Sequence, residues 1–381
     1  MTAASEPAER ASSNPRPILV LSSQRAFEAF TGPVPPARRA CFAFAKPRQA
    51  ARIRAILPDA RLVVSQSYAR PEVDRWIFEA RRAGIPTLLL VDGPLEWSNL
   101  HASPRIAAAG ARSLFDPIVH DVVATIGDAQ ARFLARRNAG RGIVFSPYAN
   151  RRIRTSVRPV SEQVASDRDP TADGRAFDFL VTTARRAAFD PVERADLSRA
   201  LRHCGDALAA GGHRVLLRLF DEDLAQAFRS GMPACVADAS GTFAEALERA
   251  RCVIGTPSSV LLEAMRHDRP TATLVFRDAP LFHQTGWLLG GFADWRVSLA
   301  SMLARDPERM QRQREIVRDE VSETDFFSLL ETADGGRWPS AARPLDERDL
   351  AFENRILRRL TGWRSRLLAP ILRSVGRARH V

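Results

Sequence analysis

The feature that most constrains the fold of this chain is an alternation of short apolar runs with longer amphipathic stretches, which occurs in both halves. Such an order is typical of a parallel α/β sheet, in which a helix crosses back over the sheet between successive strands. The predicted strands of the first half are 18–22, 41–45, 61–65, 87–91, 122–126 and 142–146. The predicted helices between them are 49–57, 72–83 and 128–137.

The second half repeats this alternation from residue 177. Its predicted strands are 177–182, 215–220, 234–237, 252–255 and 271–276. Its predicted helices are 191–210, 243–249 and a segment that begins near Val260. A chain of 381 residues is too long for one ordinary core and suits two domains. The sequence therefore predicts an α/β fold with two Rossmann-like domains and a C-terminal helical extension.

Composition and periodicity give the boundaries of these parts. The stretch between Ala149 and Arg175 lacks periodicity and is rich in Arg, Ser, Asp and Pro, as linkers are. After Leu299 the chain turns helical and strongly charged. The predicted parts are a disordered lead-in at 1–17, a first domain at 18–150, a linker at 151–176, a second domain at 177–300, a helical return segment at 301–340 and a basic amphipathic tail at 341–381.

The composition excludes several classes of protein. No window approaches the roughly 18 uninterrupted apolar residues of a membrane-spanning helix, and the first 17 residues lack the apolar core of a secretory signal. The four cysteines have no metal-ligand or redox spacing, so we predict a reduced, cytoplasmic protein. No His-x-Glu, His-Glu-x-x-His or Asp-x-Asp pair has a convincing setting, so we predict no protein-held metal, and no cofactor is expected. The net charge of +12 attracts polyanions, but no recognition motif accompanies it, so nucleic acid is not a predicted partner.

The stretch from Cys252 to Phe276 is the most informative about chemistry. It is predicted to form a strand, the loop Thr256-Pro-Ser-Ser259, a helix and a second strand. A helix N-terminus combines unpaired backbone N–H groups with the positive end of the helix dipole, which favours a phosphate. Alternatively, Thr256 or Ser258 only caps the helix, with Pro257 in its first turn.

Three other positions lie where predicted strands end. Asp92 starts a turn with Gly93 and Pro94, where it either accepts a proton from a substrate hydroxyl or only bonds its own backbone. Thr183 and Arg185 follow the first strand of the second domain, and arginines there either hold a diphosphate or face solvent. Arg218 interrupts an apolar strand and requires either a cleft or a carboxylate partner, for which Asp221, Glu222 and Asp223 are the nearby choices.

The end of the chain is basic and amphipathic. From Arg355 onward it carries arginine and no acid, with Leu360, Trp363 and Leu367 among its apolar residues. Residues 355–373 therefore either lie on an anionic membrane surface or pack on the protein itself with the arginines outward.

Gly255-Thr-Pro-Ser-Ser-Val-Leu-Leu-Glu-Ala-Met265, followed by Arg269-Pro270 and a strand, resembles the donor-side segment of bacterial surface-polysaccharide glycosyltransferases and of the related capsule-type and CDP-glycerol transferases. These enzymes have the GT-B architecture of two Rossmann-like domains. The resemblance implies that the first domain binds a glycan or lipid-linked acceptor and the second a nucleotide-sugar donor. Thr256, Ser258 and Ser259 would bond the donor phosphates, with Thr183, Arg185 and Arg218 nearby, and Glu263 would approach the ribose or sugar.

Asp92-Gly93 is similar to the acidic-Gly motif that supplies the catalytic base in bacterial sialyltransferases of this fold. The resemblance thus predicts a metal-independent glycosyltransferase at the cytoplasmic membrane face, with Asp92 as the base. One departure matters, because the strand at 215–220 is not followed by the His-Pro pair that many of these enzymes carry. Two alternatives therefore stay open: a CDP-polyol phosphotransferase of the same fold, and a catalytically degenerate assembly partner in polysaccharide biosynthesis.

Overall fold

A computed structural model describes residues 16–101, 113–154, 175–239, 241–277, 284–291, 294–332 and 339–359 of the chain. It contains two six-stranded sheets whose neighbouring strands are all parallel. The predicted α/β class, with two Rossmann-like domains in the GT-B arrangement and a C-terminal helical region, is confirmed.

The first sheet has the strand order β2-β1-β3-β4-β5-β6. Its strands are β1 (Ile18–Val20), β2 (Phe42–Phe44), β3 (Leu62–Ser65), β4 (Thr87–Leu90), β5 (Val122–Thr125) and β6 (Val144–Pro147). Its helices are α1 (Gln24–Thr31), α2 (Ala50–Ile56), α3 (Pro71–Arg82), α4 (Trp97–His101), α5 (Asp128–Arg137) and α6 (Arg151–Arg154). Every residue of β3, β4 and β5 is buried, as expected for parallel strands covered by helices on both faces.

The second sheet has the order β12-β11-β10-β7-β8-β9. Its strands are β7 (Phe177–Thr182), β8 (Val215–Arg218), β9 (Val236–Ala237), β10 (Ala250–Gly255), β11 (Thr271–Val275) and β12 (Trp287–Gly290). Its helices are α7 (Pro191–Ala210), α8 (Glu222–Gly231), α9 (Phe243–Glu248), α10 (Ser259–Arg266) and α11 (Arg296–Leu303). Counted from β7, this order is that of dinucleotide-binding domains, in which ligands bind where the winding of the sheet reverses. The reversal here lies between β7 and β10.

The predicted strands all occur, with ends within two residues of those predicted. The helices α1 and α8 and the strand β12 were not predicted from the sequence. Both helices are short, and each begins at a capping residue. The Ser23 side chain accepts a hydrogen bond from the backbone N–H of Ala26 in α1, and the Asp221 side chain accepts from the N–H groups of Asp223 and Leu224 in α8. Most of the predicted lead-in and of the predicted linker lies outside the described residues, but Arg16 at the end of the lead-in donates to Asp59 O at 3.3 Å.

The C-terminal helices return to the first domain. After α12 (Pro307–Glu320), helix α13 (Phe326–Thr332) buries Phe326 against Phe27, with ring centroids 5.5 Å apart. A last helix, α14, covers residues 347–359 and places Phe352 and Ile356 in the core of the first domain. The described start of the basic tail thus packs on the protein itself, and its remainder lies outside the described residues. None of the described helices has the length and apolarity needed to cross a bilayer.

Apolar side chains from both domains meet beside helix α10. Ile126 and Ile153 of the first domain pack with Leu262 and Met265 of α10, and α12 adds Ile316. Helix α10 therefore links the loop at its N-terminus to the contact between the domains.

Candidate functional site

A cleft of about 300 Å³ lies between the carboxyl ends of the two sheets. The first domain lines it with Gln66, Tyr68, Asp92 and Glu96, and the second with Arg186, Ser258, Ser259 and Arg277. It thus includes the reversal point of the second sheet, where ligands of open α/β sheets are expected.

The loop between β10 and α10 supplies a hydroxyl without a partner. Ser258 occupies the N-cap position of α10 with an extended backbone, yet its side chain makes no capping hydrogen bond. Its Oγ is buried and has no hydrogen-bond partner among the described residues. The capping alternative therefore does not account for this hydroxyl, which lies beside the positive end of the helix.

The loop after β7 reaches the same point and is tied to the first loop by Thr256. The Oγ1 atom of Thr256 accepts a hydrogen bond of 2.8 Å from the backbone N–H of Ala184, and its own N–H donates to Thr182 O at 3.3 Å. Thr183, next to Thr182, is almost fully buried, and its Oγ1 has no hydrogen-bond partner in the described chain. Thr256 thus holds the two loops together, while Thr183 and Ser258 present unused hydroxyls.

Gly255 allows this close approach. A Cβ atom at this position would lie 3.0 Å from Thr182 O and 2.9 Å from Cδ2 of Leu261. A larger residue at position 255 would require Leu261 and the end of β7 to shift, so glycine suits this close approach.

The structure places the two predicted donor arginines outside the lining of the cleft. The guanidinium carbons of Arg185 and Arg218 lie 5.4 and 5.6 Å from the ring centroid of the half-exposed Phe220. Arg218 is paired with the buried Asp238, so the expected partners at 221–223 are wrong. Asp221 instead pairs with Arg194. Arg186, one residue after Arg185, lines the cleft.

Glu263 also lies apart from the cleft. It is buried in α10, one turn beyond Ser259, and is not among the residues that line the cleft. Its predicted contact with a ribose or sugar stays a prediction.

Asp92 lies in the cleft at the end of β4, and the backbone around it is held on both sides. Tyr148 Oη and Asn150 Nδ2 donate to Val91 O at 3.0 and 3.3 Å, and Gln130 Nε2 donates to Gly93 O at 2.9 Å. The Asp92 carboxylate itself is exposed and makes no hydrogen bond to any described residue. Among the described residues, the turn thus does not use the carboxylate to bond its own backbone.

Arg277 joins the two domains across the cleft, which the sequence analysis did not predict. It follows β11 and pairs with Glu96 of the first domain and, at 2.8 Å, with Glu193 at the start of α7. Its guanidinium carbon lies 4.5 Å from the ring centroid of Phe189 and 5.1 Å from that of Phe276. Because Glu96 is in the same turn as Asp92, this ion triad fixes where Asp92 lies relative to the second domain.

Comparisons with known proteins give only remote likenesses. No family model matches the chain, and no curated protein matches it. Its fold resembles a putative UDP-N-acetylglucosamine 2-epimerase from Listeria monocytogenes, with a TM-score of 0.49 and 12% identity over 80% of this chain and 83% of that one. It also resembles the wall teichoic acid polymerase TagF, with a TM-score of 0.46 and 11% identity over 84% and 89% of the two chains.

A further likeness is to an α,α-trehalose-phosphate synthase (UDP-forming) from Burkholderia vietnamiensis, with a TM-score of 0.43 and 14% identity over 76% of this chain and 74% of that one.

Proposed function

We propose that this chain is a metal-independent glycosyltransferase that moves a sugar from a nucleotide-sugar donor to a surface polysaccharide or lipid-linked glycan. The observation that carries the proposal is the unused hydroxyl of Ser258, at the N-terminus of α10 in the cleft that also contains Asp92, with a second unused hydroxyl, that of Thr183, buried in the loop after β7. Buried hydroxyls without partners are rare in folded proteins and suit a ligand with acceptor oxygens, such as a phosphate.

The donor diphosphate would accept hydrogen bonds from Thr183, Ser258 and Ser259 and lie at the positive end of α10. Arg186 would add a full positive charge from the other loop. This charge stabilises the diphosphate as it leaves, a task that a metal ion performs in other transferases. Thr256 acts indirectly, because its hydroxyl already accepts the Ala184 N–H.

Asp92 would act as the general base from the opposite wall. As the acceptor oxygen bonds to the anomeric carbon of the sugar, its proton passes to the Asp92 carboxylate. The bond between the anomeric carbon and the diphosphate breaks, and its electron pair leaves on the diphosphate oxygen. Since no described residue bonds the Asp92 carboxylate, it needs to break no contact before taking the proton.

The test is Asp92→Asn. We expect transfer to fall by about 10²- to 10⁴-fold, which is typical for loss of a general base, while nucleotide-sugar binding measured by calorimetry stays unchanged. Asp128→Asn is the matched control, since Asp128 is an exposed acid in the first turn of α5. Transfer at the wild-type rate by the Asp92 variant would contradict the proposed base.

The same assays separate the alternatives. A CDP-polyol phosphotransferase leaves phosphate in the new linkage, which phosphorus NMR of the product detects, whereas a glycosyltransferase does not. The half-exposed Phe220 lies just beyond β8, where the resembling enzymes carry His-Pro, and this favours the assembly-partner alternative. Failure of the wild-type protein to bind any UDP, GDP, CMP or CDP compound would decide for that alternative.

A further inference from the structure

Four arginines converge at the amino ends of the second sheet, on the edge opposite the cleft. Arg175 precedes β7, Arg251 is the second residue of β10, Arg269 precedes β11, and Arg305 follows α11. They are close enough that the charges of Arg269, Arg305 and Arg251 lower the pKa of Arg175, after burial, to about 10.

Arg269 lies near the negative charges of Asp268 and Glu248 but pairs with neither. Its side chain makes no hydrogen bond and no ion pair with any described residue, and its Nε is fully buried. Burial, followed by the charge of Arg305, lowers its pKa. A desolvated cation without a partner is costly, and a guanidinium cannot escape that cost by losing its proton near neutral pH.

Two of the three nearby carboxylates are already used, and the third, Glu248, is exposed and makes no ion pair with a described residue. Asp268 binds Arg305 and, at 2.9 Å, Arg314. Asp178 accepts the backbone N–H of Arg214 at 2.9 Å and lies 3.7 Å from Arg251. The cluster thus holds more positive than negative charge, and its most buried member is the one that lacks a partner.

The contrast with other buried arginines of the chain is informative. Arg81 is fully buried and pairs with Asp349 at 2.9 Å, and Arg277 pairs with two glutamates. Where this fold buries an arginine for structural purposes, it supplies carboxylates. Arg269, by contrast, lies with three other arginines and makes no ion pair with a described residue. This arrangement suits an anion that is not part of the chain.

We propose that Arg175, Arg251, Arg269 and Arg305 form a binding site for a phosphate group, separate from the cleft. A planar guanidinium group can donate two parallel hydrogen bonds to two oxygens of one phosphate. Because a phosphate has several oxygens, it can accept hydrogen bonds from more than one arginine at once. The same chemistry is present in inorganic phosphate and in the headgroup of an anionic phospholipid.

The experiment is thermal unfolding of the full chain in phosphate and in sodium chloride of equal ionic strength. At about a hundredfold excess over the dissociation constant we expect phosphate to raise Tm by about 4 °C more than chloride does. Arg269→Gln should lose this increment and should also unfold at a higher temperature than wild type without phosphate, since it removes a buried, unpaired charge. A smaller phosphate-dependent rise in Tm together with a higher Tm without phosphate distinguishes a binding site from a merely structural arginine, whose loss would lower Tm in both conditions.

Two controls locate the effect. Arg312→Gln removes the same charge from an exposed residue of α12 and should keep the full phosphate increment. Thr183→Val removes a hydroxyl of the proposed donor site at the opposite end of β7 and should keep the part of the increment that depends on Arg269. The site is refuted if wild type responds equally to phosphate and chloride, or if Arg269→Gln responds as wild type does.

The source of the phosphate group is identified with lipid vesicles. Sedimentation of wild type, but not of Arg269→Gln, with phosphatidylglycerol vesicles would identify a headgroup at this site. A phosphate-dependent Tm shift without Arg269-dependent sedimentation would identify a free anion. Both outcomes support the site, and they differ only in what fills it.

Discussion

The two ends of β11 make an instructive pair, because an arginine lies two residues before the strand and another two residues after it. Arg277, at the carboxyl end, is neutralised by Glu96 and Glu193 and enclosed by two phenylalanine rings. Arg269, at the amino end, lies in a cluster of arginines with Asp268 and Glu248 nearby, and makes no ion pair with a described residue. One cation therefore serves as an internal tie, and the other suits an external ligand.

The two arginines differ in the part of the molecule that each one contacts. Glu96 comes from the first domain, so the pairing of Arg277 holds the Asp92 turn against the second domain. The Arg269 cluster belongs to the second domain alone, and none of its four arginines lines the cleft. Substitutions at the two ends of the strand should therefore change stability in opposite directions.

The largest expected effect is at Arg277. Arg277→Gln leaves Glu96 and Glu193 mostly buried without their cation, and breaking such a buried pair typically costs about 3–5 kcal/mol. We expect a loss of this size in the free energy of unfolding, measured by urea denaturation. Arg296→Gln breaks an exposed pair with Asp294 and should cost less than about 1 kcal/mol. Equal losses in the two variants would show that the triad does not hold the domains.

The next test concerns Glu320, a buried acid that makes no ion pair with a described residue. Unlike a buried arginine, a buried acid can lose its charge by taking up a proton. Burial, helped by the charge of Asp319, raises the pKa of Glu320 from 4.5 to about 8. The folded state then keeps a proton that the unfolded state loses, so stability is fully present below about pH 4.5 and is lost as the pH rises toward 8.

Glu320→Gln should remove this dependence. We expect wild type to lose on the order of 2 kcal/mol relative to the variant between pH 4.5 and pH 8. The measurement is urea denaturation of both proteins across this range, and the difference between them cancels the titration of other acids. Parallel stability curves would mean that Glu320 is ionised in the folded protein.

The sequence allowed prediction of the strands and of the loop at Thr256–Ser259, because burial and helix-start chemistry are local properties. It could not give the strand order, which alone brings Thr183 next to Thr256. Pairings between distant residues were equally hidden, since Glu96 and Arg277 are 181 residues apart. Arg218 illustrates the limit. It pairs with Asp238, which directly follows the neighbouring strand β9, and not with the acids that follow Arg218 in sequence.

The smallest expected effect compares a paired hydroxyl, that of Thr256, with an unpaired one, that of Thr183, in the two loops behind the cleft lining. Thr256→Val leaves the Ala184 N–H without its acceptor and should cost about 1–2 kcal/mol in the ligand-free protein. Thr183→Val removes a hydroxyl that has no partner and should change stability by less than about 0.5 kcal/mol. If the Thr183 hydroxyl bonds a donor phosphate, the same variant should bind nucleotide about tenfold more weakly, equivalent to about 1.4 kcal/mol. Urea denaturation gives the free energy of unfolding, and calorimetry gives the affinity for nucleotide. If the Thr183 variant is as unstable as the Thr256 variant and binds nucleotide as wild type does, the Thr183 hydroxyl serves the fold and not a ligand.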